Sequence, residues 1–140
     1  IFRKGKIMRI FLGGTCNKST WRDILISMLR VDYFNPVVDD WNEDAQRREL
    51  EERENCDICL YVITPKMTGV YSIAEVVDDS NKRSEKTVLA LLREDLINRF
   101  TDAQWKSLHA VAEMVKQNGT PVFWNLEDAA GYINSVTEVS

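Results

Sequence analysis

Glu75 is the residue of this chain best placed to do chemistry. It ends the segment Thr64-Pro65-Lys66-Met67-Thr68-Gly69-Val70-Tyr71-Ser72-Ile73-Ala74-Glu75. The apolar run 58–63 before that segment reads as a strand buried on both faces. Pro65 and Gly69 then break the chain, and a helical pattern opens at about Ser72. This puts a carboxylate in the first turn of a helix, just past the carboxyl end of a central strand, the edge where open α/β sheets bind ligands. A carboxylate there serves as a nucleophile or as an acid–base group, and the helix N-terminus would keep it ionised. Periodicity alone sets Glu75 roughly opposite the apolar stripe of Ile73, Val76 and Val77, as a solvated residue would be. Tyr71, one turn earlier on the same face, is within hydrogen-bonding reach of it.

Two more loops converge on that edge in an alternating α/β chain. One carries Gly13-Gly14-Thr15, where the glycines let a ligand approach the backbone, although Gly pairs are also common in tight turns. It is not the G-x-G-x-x-G of a dinucleotide fold. The other carries Asp39-Asp40-Trp41, in which Asp40 has the plain alternative role of N-cap to the following helix. The stretch Cys16-Asn17-Lys18-Ser19-Thr20-Trp21-Arg22 satisfies C-x-x-x-x-x-R, the spacing by which a thiolate and an Arg share a phosphate. It lacks the glycines that wrap backbone amides around a phosphate, and Trp21-Arg22 falls within a predicted helix. Cys56 and Cys59 form a C-x-x-C, but at a helix-to-strand junction, the reverse of the order that lowers a thiol pKa. With no second pair or nearby His to complete a zinc site, they read as ordinary buried cysteines. A phosphoacceptor receiver domain needs acids after strand one and an Asp ending strand three; Gly13-Gly14 and Thr64 stand there instead.

The elements that must position these residues alternate strictly. Strands are predicted over 8–12, from Tyr33-Phe34, over 57–63, 87–92 and 122–124. Helices are predicted over 21–30, 41–54, 72–82, 101–117 and 126–133. Ser19 or Thr20 is expected to cap the first helix, with Asp23, three residues after Thr20, as a capping-box partner. Helix 41–54 is heavily charged and expected to be exposed, and the segment 93–100 is the loosest. The pattern predicts a three-layer α/β sandwich around a five-stranded parallel sheet in the flavodoxin-like order 2-1-3-4-5. The chain's 140 residues make one domain over 8–140, with 1–7 a leader or expression remnant ahead of Met8. Hydrophobic residues are 44% and charged residues 29%, an ordinary globular balance, and the net charge of −4 argues against a nucleic-acid surface. No apolar run approaches the roughly 18–20 residues of a membrane span. Three cysteines imply no disulfide framework. A cytoplasmic protein, with no membrane or nucleic-acid partner, is expected.

Taken together, the three loops resemble those of the nucleoside 2-deoxyribosyltransferase-like family, in particular its small divergent members. The resemblance runs from Met8 to about Asn134. It rests on Ile10-Phe11-Leu12-Gly13-Gly14, on Asn35-Pro36-Val37-Val38-Asp39-Asp40-Trp41 and on Gly69-Val70-Tyr71-Ser72-Ile73-Ala74-Glu75. In that family an Asp-x-Gly-Thr-x-x-Glu-like segment supplies the nucleophilic Glu, which Glu75 matches. Ser72 falls where Thr is frequent, and Gly69 stands where the family has an acidic residue.

The resemblance implies cleavage or transfer at the N-glycosidic bond of 2′-deoxynucleosides, to another base or to water, without a cofactor or metal. Glu75 would attack C1′, Asp39 or Asp40 would handle the proton on the departing base, and Tyr71 would stand beside Glu75. Phe11 or Trp41 would stack on the base, and Gly13, Gly14, Thr15, Gly69 and Ser72 would face substrate. Two alternatives accompany it. One is a 2′-deoxynucleoside 5′-monophosphate N-glycosidase that takes the phosphate on Thr15, Asn17, Lys18 and Ser19 at a helix terminus. The other is a non-catalytic nucleotide-binding module, which Gly69 supports. The implied partner is a small nucleoside or nucleotide; a homo-oligomer is compatible with all three.

Overall fold

The run Ile58–Ile63 is buried at every position and forms the centre of the sheet, as an apolar strand covered on both faces must. The computed structural model describes residues 8–16, 18–38 and 42–138. In chain order the elements are β1 (Arg9–Gly14), α1 (Trp21–Met28), β2 (Asp32–Phe34), α2 (Glu43–Asn55), β3 (Ile58–Ile63) and α3 (Tyr71–Lys82). A 3₁₀ turn (Ser84–Lys86), β4 (Thr87–Leu91), β5 (Glu94–Asp95), β6 (Asn98–Arg99), α4 (Asp102–Gln117), β7 (Val122–Phe123) and α5 (Leu126–Thr137) follow. β2, β1, β3, β4 and β7 make one sheet in that order, parallel at every pairing. Counting strands of this sheet only, the order is the expected 2-1-3-4-5.

Alternate residues of β3 serve two cores. Ile58, Leu60 and Val62 pack with Trp21 and Leu25 of α1 and Ala129 and Ile133 of α5. Cys59, Tyr61 and Ile63 pack on the other face with Val76 of α3 and Leu108, Ala112 and Val115 of α4. The result is a three-layer α/β sandwich. Among the described residues no helix is long and apolar enough to cross a membrane.

Four local expectations are corrected. Segment 93–100 is not loose: β5 and β6 pair antiparallel as a hairpin, turning through Leu96 at φ 56° and Ile97. Thr20 makes no side-chain cap to α1, because its φ of −100° and ψ of 9° depart from the extended geometry of a capping residue, so the Thr20–Asp23 box does not form. α1 stops at Met28 rather than at residue 30. α2 begins at Glu43 rather than at residue 41, with Asn42 as its N-cap, whose side chain accepts from the Ala45 amide; Asp40, the other candidate for that role, lies outside the described residues.

Candidate functional site

Gly13 and Gly14 end β1 at the carboxyl edge of the sheet, and the local sequence explains why both are glycine. A Cβ on Gly13 would lie 2.8 Å from the Tyr61 ring. One on Gly14, at φ 113°, would lie 2.1 Å from the Val62 carbonyl oxygen on the neighbouring strand. The chain then turns through Thr15, whose amide donates to the Val62 oxygen and whose hydroxyl accepts from the Thr64 amide. Arg22, nearly buried, reaches back from α1 and donates to the carbonyls of Leu12, Thr15 and Gly14, fixing the loop's path.

Above this edge lies an open cavity of about 510 Å³, a volume suited to a small organic ligand. Of the residues singled out from sequence, Gly13, Gly14, Thr15, Gly69, Tyr71, Ser72 and Glu75 line it. Cys16, Arg22, Pro36, Val37, Val38, Glu49, Met67 and Thr68 complete its wall. Asp39, Asp40, Trp41 and Asn17 lie outside the described residues. Phe11 does not reach the cavity: only 1% exposed, its ring stacks on Phe34 with centroids 6.1 Å apart and lies under Gly13. It supports the floor and has no free face for a base, which corrects the stacking role given to it. Pro36, Val37, Val38 and Met67 supply an apolar wall instead.

Glu75 is the fifth residue of α3, beyond the first turn, and only 8% exposed. The buried face of α3 is Glu75, Val76, Asp79 and Ser80 rather than the apolar stripe alone, which is why periodicity misplaced this side chain. A polar network on α2, α3 and β3 accounts for its burial. Arg53 of α2 sets Nη1 3.6 Å from Glu75 Oε2, while its Nε and Nη2 donate to the two oxygens of Asp79 at 3.2 and 3.0 Å. Tyr61 donates to the same Asp79 carboxylate at 2.5 Å, and Arg83 donates to it at 2.9 Å. Burial works against the Asp79 charge, but the bonds from Arg53 and Tyr61 hold its pKa below the usual range. The same bonding raises Arg53 against the cost of its burial.

Ionisation of Glu75 departs from the dipole argument. Burial first, and then the neighbouring Glu49, push its carboxyl up to about 7, with Arg53 opposing. Tyr71, 70% exposed at the rim, makes no hydrogen bond to Glu75 among the described residues.

Sequence reading missed Arg53, Glu49, Asp79 and Tyr61. Arg53 and Glu49 sit in the helix expected to be exposed, and an i, i+4 Glu–Arg pair in a run of charges looks like ordinary surface. The first-loop Cys16 and Arg22 do share the cavity wall. Arg22, however, spends its guanidinium on backbone carbonyls and stacks on Trp21 at 4.3 Å, which leaves little for a phosphate. Cys56 and Cys59 are free and buried, and burial pushes each thiol up to about 12.

A parallel α/β sheet whose ligand-edge loops join a Gly pair to a buried, Arg-paired glutamate defines a site for a small ligand. The family model described as nucleoside 2-deoxyribosyltransferase like matches residues 7–95. The chain belongs to that family. The match spans β1 to β5 and takes in every residue lining the cavity. No curated protein matches the chain.

Proposed function

We propose that the protein cleaves the N-glycosidic bond of a 2′-deoxynucleoside through Glu75 as nucleophile, passing the deoxyribosyl group to another base or to water. The observation that carries this reading is the Glu75 carboxylate itself: sequestered in the cavity wall and paired to Arg53, within the stretch the family model covers. Breaking this bond passes through an oxocarbenium-like state, which a carboxylate beside the anomeric carbon stabilises or traps covalently. The apolar wall of Val37, Val38 and Met67 suits a base, and the Gly13-Gly14 floor admits the sugar close to the backbone. A carboxyl group, assigned from sequence to Asp39 or Asp40, handles the proton on the departing base.

The 5′-monophosphate is the lesser reading, because the first-loop hydroxyls are already committed. Thr15 bonds the Thr64 backbone, and Ser19 donates to Asp95 at 2.5 Å. Chromatography of the protein incubated with each deoxynucleoside and deoxynucleotide, with and without a free acceptor base, tests the proposal. Base release is expected from wild type. Glu75→Ala is expected to reduce it by several orders of magnitude with the fold intact, since the covalent route is lost. Binding without base release under every acceptor condition would establish the non-catalytic module instead, with Gly69 the first residue to suspect.

A further inference from the structure

Glu75 is almost wholly buried, yet among the described residues nothing donates a hydrogen bond to it. The cation that faces it, Arg53, sets Nη1 3.6 Å from Oε2, beyond hydrogen-bonding distance. A guanidinium beside a buried carboxylate ordinarily forks onto it with two parallel bonds. Here the fork goes elsewhere. Arg53 turns its Nε and Nη2 edge to the two oxygens of Asp79, at 3.2 and 3.0 Å, and Nη2 also reaches Asp78 at 3.3 Å. Because the guanidinium is planar and rigid, that pairing fixes the place of Nη1 as well.

Asp79 is itself held from three elements. It lies fully buried one turn beyond Glu75 on α3 and accepts from Tyr61 of β3 and from Arg83 at the end of α3, as well as from Arg53 of α2. An apolar pair would join α2 to α3 at least as well, because desolvation offsets much of the attraction between buried charges. An apolar pair could not keep a positive charge beside Glu75 without bonding it.

We propose that Asp79 is a positioning residue for Glu75: it keeps the Arg53 fork occupied, so that Arg53 steadies the Glu75 charge from a distance and leaves both carboxylate oxygens free. This role rests on the reading of Glu75 as nucleophile. A Glu75 oxygen bonded to Arg53 would have to give up that bond before its lone pair could reach C1′. The other charged or titratable groups at the cavity are Glu49 of α2, Arg22 of α1, Cys16 and Tyr71. Arg22 is spent on backbone carbonyls, and Glu49 repels Glu75. Asp79 is thus the group that decides where the Arg53 fork points.

The test reads Glu75 in two independent ways: the pH midpoint of its carboxyl carbon by carbon-13 nuclear magnetic resonance, and kcat on a deoxynucleoside at a pH where Glu75 is ionised in every variant. In Asp79→Asn the released fork should close on Glu75. The midpoint is then expected to fall by about one pH unit or more, and kcat by about tenfold or more, although the nucleophile is more fully ionised. Adding Arg53→Met removes the fork, so the double variant should turn over about fivefold or more faster than Asp79→Asn. A merely structural tie predicts the reverse order, since the double variant loses both ends of it. Should Asp79→Asn not fold, Tyr61→Phe carries the test: with one donor fewer, Asp79 depends more on Arg53, and the Glu75 midpoint should stay level or rise. A lower midpoint in Tyr61→Phe, an unchanged kcat in Asp79→Asn, or a double variant no faster than the single one would overturn the role of Asp79 while leaving Glu75 as nucleophile. A wild type that releases no base would overturn the nucleophile instead, and the Asp79→Asn midpoint then decides by itself whether Asp79 holds the fork away from Glu75, an unchanged value overturning that too.

Discussion

In the proposed reaction Glu75 occupies a position in which its charge is both needed and opposed. Attack on C1′ needs the carboxylate, yet burial and Glu49 favour the acid form and push the group from 4.5 to about 7. The rate of base release should therefore climb with pH through roughly 6 to 8, as the nucleophile ionises. A kcat/KM profile measures this, and an ascending limb centred near 4.5 would contradict it. In Glu49→Gln the limb should move to lower pH, since a repelling neighbour is gone. Stability runs the other way. A carboxyl whose folded-state pKa lies above its unfolded value supports the fold at low pH, and that support is lost as pH rises from 4.5 through 7. Glu75→Gln, neutral throughout, should thus gain melting temperature relative to wild type between pH 5 and pH 8; Arg53 keeps Asp79 and Asp78 as partners in that variant.

The three site glycines differ in what the neighbouring elements demand of them. Gly14 has left-handed backbone and a strand against it, so Gly14→Ala forces β1 away from β3 at Val62. Urea denaturation should register a loss on the order of 3 kcal/mol for strain plus disturbed pairing. Gly13 meets only the Tyr61 and Phe11 side chains, and a Cβ on Gly69 would meet nothing within 4 Å. Gly69→Ala should accordingly shift stability by less than about 0.5 kcal/mol. The sheet order and the Gly13-Gly14 turn were legible because short apolar runs alternate with helical patterns. The hairpin was not: its turn is Leu96-Ile97 rather than an Asn-Gly pair, and Glu94 to Arg99 shows no alternation. The anchor that orders it, Asp95 accepting from Ser19 and Thr64, joins residues 76 and 31 positions apart, and no local pattern announces that. The inward face of α2 was hidden for the same reason. Arg53 finds its partners on α3, and the composition of α2 alone describes a solvated helix.

At the scale of the whole molecule, the central sheet divides two cores, and the cysteines sample both the interior and the surface. Cys59 is the second residue of β3, fully buried, and donates from Sγ to the Arg53 carbonyl, while Cys56 is buried in the same core. Cys16 is exposed at the cavity rim. Reaction with an aromatic disulfide reagent requires a thiolate within reach, and burial denies both to Cys56 and Cys59, pushing each thiol up to about 12. No local opening frees Cys59, because exposing it means separating β3 from α3 and α4, the layer that holds one of the two cores. The native protein should therefore show one fast thiol, and Cys16→Ser should abolish that phase. The remaining two should react together, at a rate that rises with denaturant in step with global unfolding followed by circular dichroism. Fast reaction of all three in native buffer would mean that the α3–α4 layer opens independently of the sheet, and with it the wall that holds Glu75.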